Sequence, residues 1–441
     1  MRFYILCLKI CGIKNIEEPI AIEFYKKTIN KDFDPDKYRI KAIYGENGSG
    51  KTAIITAVSL MRKILTNGSY LLDNDTQRSL VELVNKKTRC GNIECEFYVG
   101  LDVKRILRYS VGFEVGEDER FYITEELLEE KKASYSKNKY QTIFRTRNGE
   151  LIECADSGVL DYLRNKTMNL LDKQSLATSI IRFYEMSQEL RSSSTIFSLF
   201  VLSIFALTID VFLDEADNHA DYALRERLGR LDEKAIGNNG PDLLRQINSK
   251  IIGPMADKKM IPKQVFSEYE EQVKRLCEFV RVFKPELKKI DIEKQDRDAF
   301  YQCNLKMVYE GYTLDREFES RGIKKLMDLF DCLDAASSGS VVFIDELDSN
   351  IDDVYLDKLI EYFASYGKGQ LCFTAHNLSP MTVLKSNKNA ISFISSINTV
   401  HTWTSNGNYT PENAYRNGFI EDSPFNVDAT DFLGILGGQD A

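Results

Sequence analysis

Residues 45–52 read GENGSGKT, a complete G-x-x-x-x-G-K-[ST] pattern. No other stretch of the chain limits its fold as strongly. The glycines let successive backbone N–H groups converge on one hollow, and a helix starting at the end of the loop adds the positive end of its dipole. Such a loop works between a strand and a helix. Both flanks are present: residues 38–44 (YRIKAIY) have a strand pattern, and a helix is predicted from about Lys51 to Leu65. Gly45, Asn47, Gly48, Ser49 and Gly50 are therefore expected to surround phosphate oxygens. Lys51 is expected to reach the β and γ phosphates of ATP, and the Thr52 hydroxyl to sit on Mg²⁺.

Three further pieces follow in order toward the C-terminus. Residues 338–349 (SGSVVFIDELDS) contain four apolar residues that end in Asp345 and Glu346. Adjacent carboxylates at the end of an apolar strand are hard to explain structurally, because such groups are rarely buried unpaired. Asp345 is expected to hold Mg²⁺ through water, and Glu346 to polarise the attacking water. His376, in LCFTAHN (371–377), follows another apolar strand and is expected to touch the γ-phosphate and couple it to Glu346. FESRGIKK (318–325) opens a helix with Ser320 and Gly322, a second phosphate-binding helix end. Within one subunit it is expected to lie far from residues 45–52, so its use would be on a nucleotide held by a partner copy.

The remaining pattern divides the chain. Residues 1–24 read as two strands around GIKNIEE, and strand patterns follow at 93–99, 105–113 and 120–124. Residues 140–153 read as a hairpin turning at Asn148–Gly149. Residues 156 to about 292 read as helical, with a loop at 235–241, a charged amphipathic helix at 267–283 and an apolar run at 196–209. That run is too short for the ~20 residues of a membrane span, so a buried helix is expected. Strands return near 301–314, followed by helix, strand, helix and strand. The expected class is α/β: a head with a mixed sheet and an antiparallel subdomain, interrupted by a helical insertion. The boundaries are 1–185 for the N-terminal part of the head, 186–300 for the insertion or lid, and 301–441 for the C-terminal part.

Charge and cysteine content exclude several functions. A net charge of −9 argues against a surface that clamps duplex DNA throughout, although a local basic stripe stays open. Nine scattered cysteines and an N-terminus interrupted by Lys9 fit a cytoplasmic protein with free, mostly buried thiols and no signal peptide. Cys7 with Cys11, and Cys90 with Cys95, have poor spacing for zinc and lie in strand patterns.

The order of loop, Ser-Arg-Gly helix start, apolar-Asp-Glu and His resembles the ABC-type ATPase heads. It is similar in particular to the compact prokaryotic ATPases related to the overcoming-lysogenization-defect (OLD) proteins, which include ATPase subunits of anti-phage systems such as Septu, PARIS and abortive-infection pairs. The matching stretches are AIYGENGSGKTAIITA, SRGIKKLMDLFDCL, VVFIDELDSNIDD, GQLCFTAHNLSPM and AYRNGFIEDSPFNVDATDF. Two positions depart from the pattern. Relatives usually carry Ser-Glu-Gly-Thr where this chain has Ser320-Arg321-Gly322-Ile323, and often Leu-His where it has Ile351-Asp352. A glutamine loop is not placed.

The resemblance implies an ATP-hydrolysing enzyme that closes ATP and Mg²⁺ inside a homodimer or higher oligomer. OLD nucleases add a TOPRIM domain, but this chain ends about 65 residues after His376, with only His219 and His401 left. A separate effector, a nuclease or toxin, is therefore expected, with this chain as sensor or regulator. The insertion, including the 196–209 run and the 267–283 helix, is expected to offer the surface for that partner. The alternatives are a DNA-repair ATPase of the RecF or Rad50 type, or a nucleotide-gated scaffold.

Overall fold

The computed structural model describes residues 1–25, 29, 33–100, 104–133, 139–180, 186–213, 259–387, 389–404, 409–421 and 423. The 235–241 loop, His219 and most of the tail after 421 lie outside the described residues. In chain order the strands are β1 (Arg2–Cys11), β2 (Ile20–Glu23), β3 (Ile40–Tyr44), β4 (Cys90–Gly100), β5 (Arg105–Val115), β6 (Phe121–Lys132), β7 (Gln141–Arg147), β8 (Glu150–Cys154) and β9 (Ile209–Phe212). They continue as β10 (Lys259–Pro262), β11 (Lys289–Arg297), β12 (Phe300–Val308), β13 (Thr313–Asp315), β14 (Val341–Ile344), β15 (Gln370–Thr374), β16 (Ile391–Ile394) and β17 (Val400–Thr402). The described helices are α1 (Lys51–Thr66), α2 (Asn74–Leu83), α3 (Leu160–Thr167), α4 (Gln188–Arg191), α5 (Ser194–Thr208), α6 (Phe266–Phe283), α7 (Arg321–Ser338), α8 (Asp353–Tyr366), α9 (Ser379–Leu384) and α10 (Pro411–Arg416).

The nucleotide motifs share one six-stranded sheet, ordered β17-β16-β3-β15-β14-β9. Its strands run parallel except at the β16–β17 pair. β3, β14, β15 and β16 are buried along their whole length, which is why 341–344 and 371–373 read as short apolar runs without alternation, while Lys41, Gln370, Thr374 and Ser392 are buried polar residues within the same strands. Alternate side chains serve two cores. Ile43, Val341, Phe343 and Cys372 face α1, α5 and the seven-stranded antiparallel sheet β2-β1-β4-β5-β6-β7-β8. Ala42, Tyr44, Val342, Ile344, Leu371 and Phe373 face the core that includes α6, α7 and α8. The result is the expected α/β P-loop head with an antiparallel subdomain.

A polar clip joins the two main sheets. The β1–β4 ladder shifts register between Ile5 and Cys7. There the Gln370 side chain of β15 pairs with the Ile5 backbone, accepting from its N–H at 2.8 Å and donating to its carbonyl at 3.0 Å. Both groups are buried, so the amide satisfies backbone atoms that the ladder leaves open.

The helical reading of 156–292 needs correction. Residues 209–212 are β9, the sheet's edge strand, with Ile209 beside Val341. β11 and β10 flank β12 in a second antiparallel sheet. The surfaces expected to serve a partner are also used internally. α5 is buried on nearly every face against the first core. The apolar stripe of α6, with Val273, Leu276 and Val280, lies in the second core together with α7 residues. Residues 194–212 and 259–300 are thus built into the head and its sheets. None of the nine cysteines forms a disulfide. Only Cys95, Cys303 and Cys372 are buried, while Cys90 is exposed at the start of β4, so the thiols are less sheltered than expected.

Candidate functional site

Three adjacent strands end beside one another. Loop 45–52 leaves β3, the 375–378 turn leaves β15, and Asp345–Glu346 leaves β14; in the sheet, β15 lies between β3 and β14. In an open parallel sheet, the carboxyl edge of the strands is where loops form a ligand crevice.

The loop has the backbone that its glycines allow. Gly48 has φ +81° with open space where a Cβ would stand, and Gly50 has φ +109° as the N-cap of α1. A Cβ on Gly45 would fall 2.4 Å from the Ile394 carbonyl oxygen. Two asparagines brace the loop from outside: Asn15 donates to the Gly48 carbonyl at 2.6 Å, and Asn398 to the Ser49 carbonyl at 3.1 Å. Lys51 is 6% exposed and donates to the carbonyls of Gly45 (2.7 Å) and Glu46 (2.9 Å). Burial pulls the Lys51 pKa below the ordinary lysine value, and the carboxylates of Asp345, Glu346, Asp348 and Glu46 oppose that shift.

On the β14 side, Asp345 is buried and Glu346 is half-exposed. Glu346 has φ +48°, a left-handed backbone that a non-glycine residue adopts only when its surroundings hold it there. Thr374 does part of this. Its hydroxyl donates to the Asp345 carboxylate at 2.6 Å and accepts the Glu346 N–H at 2.8 Å. Lys325 of α7 donates to the Glu346 carbonyl at 2.9 Å and also to the Ser349 hydroxyl. The His376 ring stands across from Glu346, with Nε2 3.9 Å from Oε1. Asp348 fixes that turn by accepting the backbone N–H groups of His376 and Asn377 at 2.8 and 2.6 Å.

A cleft of about 610 Å³ opens between Tyr44–Asn47 and the His376 turn, and α10 supplies its far wall with Tyr415 and Arg416. Ser320 and Gly322 do not line this cleft. Ser320 is the N-cap of α7 and accepts the Ile323 N–H at 3.4 Å. A Cβ on Gly322 would lie 2.8 Å from the Asn350 carbonyl oxygen, so a bare Cα is needed for α7 to approach the 346–350 loop.

The family described as "AAA domain, putative AbiEii toxin, Type IV TA system" matches residues 40–379, well over half of the chain. The chain belongs to this family. The match spans β3, loop 45–52, Asp345–Glu346 and His376, and it stops before α10. Two solved structures of the recombination mediator protein RecF in the RecFOR pathway are similar to this AAA-domain chain. The one described as RecF-ATP is 14% identical and the one described as RecF-ATPrS 13%. Each alignment covers 91% of this chain and 99% of the other, with a TM-score of 0.39. No curated protein matches the sequence.

The loop of this AAA-domain chain fits a triphosphate. Ser49 Oγ is buried with no hydrogen-bond partner, an unfilled polar position inside a ring of glycine backbone. Among the described residues no cluster of three or more His, Cys, Asp or Glu could hold a metal without help. Mg²⁺ takes one or two protein groups plus phosphate oxygens and water, a share that Thr52 and Asp345 would supply. Among the described residues no helix is long and apolar enough to cross a membrane.

Sequence reasoning missed Thr374, Asp348, Lys325, Asn15 and Asn398. A threonine in a strand is ordinary, and Asp348 looked like one more acid in DELDS. Thr374→Val should lower unfolding stability by about 1–3 kcal/mol, because a buried carboxylate and an N–H each lose a partner. It should also slow ATP turnover, since Asp345 and Glu346 lose their shared tether. Denaturant unfolding and an ATPase assay on the same preparation check both, and a variant equal to the parent in both would show that the bridge is dispensable.

Proposed function

We propose that the chain is an ABC-type ATPase that closes Mg·ATP between two copies of itself and hydrolyses it, and that it is the sensor subunit of an anti-phage system with a separate effector. The observation that carries the ATPase reading is the convergence of loop 45–52, Asp345, Glu346 and His376 at the carboxyl ends of three adjacent strands. Backbone N–H groups of 47–51 bind phosphate oxygens, and Lys51 meets the β and γ phosphates. Bound Mg²⁺ would offset charge on the β and γ oxygens, with Thr52 and Asp345 as its protein groups. Glu346 accepts a proton from the attacking water, and His376 keeps Glu346 oriented toward the γ-phosphate. The family's description names a toxin–antitoxin system, which supports a chain that works with a second protein, and in this reading that protein is an effector, a nuclease or toxin, encoded beside this chain.

The partner copy would supply Ser320 and Gly322. Both lie at the start of α7, and both stand outside the cleft formed by their own P-loop. A complementation experiment tests this composite site. Gly322 is unsuitable for the second lesion, because any side chain there strikes Asn350. Ser320→Asp keeps an N-cap acceptor while placing a negative charge against the partner's phosphate. Lys51→Ala and Ser320→Asp should each be inactive alone. Mixed in equal amounts, they should recover about a quarter of parental turnover, since random pairing leaves that share of the two-fold-related sites intact. No recovery from demonstrated mixed dimers would sink the composite site.

A further inference from the structure

α10 lies beyond the matched family region, yet it forms one wall of the nucleotide cleft. It is firmly seated. Pro411, Ala414 and Tyr415 are buried. The Tyr415 ring stacks on Phe393, with centroids 5.4 Å apart and planes 18° from parallel. Tyr415 lines the cleft together with Gly45 and Glu46 of loop 45–52, and burial and nearby Glu46 push its pKa up to about 12. The next residue, Arg416, also lines the cleft. Glu412, one turn earlier, accepts from Arg416 Nε at 3.0 Å and also from the Thr382 hydroxyl of α9 at 3.4 Å. The guanidinium is thus held at one nitrogen, and its remaining N–H groups are free to turn toward an anion.

The charge around the cleft favours such a cation. Glu46, Asp345, Glu346 and Asp348 all act electrostatically on Lys51. A triphosphate must settle next to these carboxylates. Arg416 is the one permanent cation among the described residues lining the cleft. The cleft is bounded by 45–47 and by the His376 turn, and His376 faces Glu346. Its His376 side is therefore the side nearest Glu346, where the terminal phosphate belongs in the ATP-site reading.

We propose that Arg416 contacts the terminal phosphate of the bound nucleoside triphosphate in cis, making α10 a sensor of the third phosphate. This rests on the ATP-site reading above. In this position the arginine separates triphosphate from diphosphate, while Lys51 and the loop backbone bind both. A cation fixed to the chain's own C-terminal segment also links the tail to the nucleotide state, since loss of the γ-phosphate removes its partner.

The test is equilibrium binding of a non-hydrolysable ATP analogue and of ADP, each with Mg²⁺, to the full chain. The variants are Arg416→Ala, Arg416→Lys and Lys51→Ala. Loss of a charge-assisted pair corresponds to roughly a 10- to 100-fold change. Arg416→Ala should weaken the analogue by about that factor while ADP changes less than about twofold, and Arg416→Lys should recover part of the loss. Arg416 is largely exposed and its substitution leaves the Tyr415 stack in place, so unaltered thermal unfolding is the expected control. Equal affinities in parent and Arg416→Ala, or equal losses for both nucleotides, would overturn the assignment. The Lys51→Ala arm keeps the two ideas apart: if it fails to weaken both nucleotides, the ATP-site reading itself fails.

Discussion

Glu346→Gln should bind ATP as the parent does and hydrolyse it about a hundredfold to ten-thousandfold more slowly, the usual contribution of a positioned general base. The amide keeps the shape of the carboxylate but cannot accept the proton of the attacking water. The backbone should stay as it is, because the constraints on φ come from Thr374 and Lys325 and not from the Glu346 carboxylate. With hydrolysis blocked, the ATP-loaded dimer should accumulate and elute as a larger species on size exclusion, and only with nucleotide present. The product of the adjacent gene, if it is the effector, should associate differently with this trapped form and with Lys51→Ala. A ligand shifts such an equilibrium only by its differential affinity for the two forms. Parental turnover in Glu346→Gln would place the base elsewhere, and identical effector association in both variants would remove the sensor role.

Lys51→Ala should lose ATP affinity by on the order of 10- to 100-fold, from the ~1.5–3 kcal/mol of hydrogen bonds made by a charged group. The same lysine donates to two loop carbonyls, so the variant also loosens the first turn of the loop. Because burial lowers the Lys51 pKa, affinity in the parent should begin to fall at a pH below the ordinary lysine range, as the ammonium loses its proton. Titration with labelled ATP across that range checks both points. Unchanged affinity in the variant would sink the P-loop assignment.

Much of the head was legible in the sequence for a physical reason. Strands buried on both faces leave short unbroken apolar runs, as at 341–344 and 371–373, and the loop motif fixes what stands on either side of it. The hairpin at Asn148–Gly149 was equally plain, since both residues take positive φ there. β9 was not legible. Its first residue, Ile209, closes the apolar run of α5, and the remaining three, Asp210, Val211 and Phe212, are too few for periodicity to show where helix becomes strand. β11 was hidden for another reason: KIDIEKQDR alternates only at Ile290 and Ile292, and the rest of it is exposed and polar. At the site, the residues that bind phosphate carry a motif, whereas those that hold them in place do not. Thr374 and Lys325 act through tertiary contacts with Glu346 that no local pattern encodes.

β3 pairs only with strands made far later in the chain: Ile40 stands opposite Leu371, and Ala42 opposite Ile391. At ~5–20 residues per second of synthesis, the strand that carries the nucleotide loop waits on the order of tens of seconds for its neighbours. During that time IKAIY is an apolar segment with both edges bare, the kind of surface that invites aggregation and chaperone binding. Closure of the sheet therefore waits until residue 394 has been made, and the high separation between partners makes it slow. A nascent chain has its phosphate-binding sequence early but lacks the two strands that flank β3 until the 370–394 region emerges.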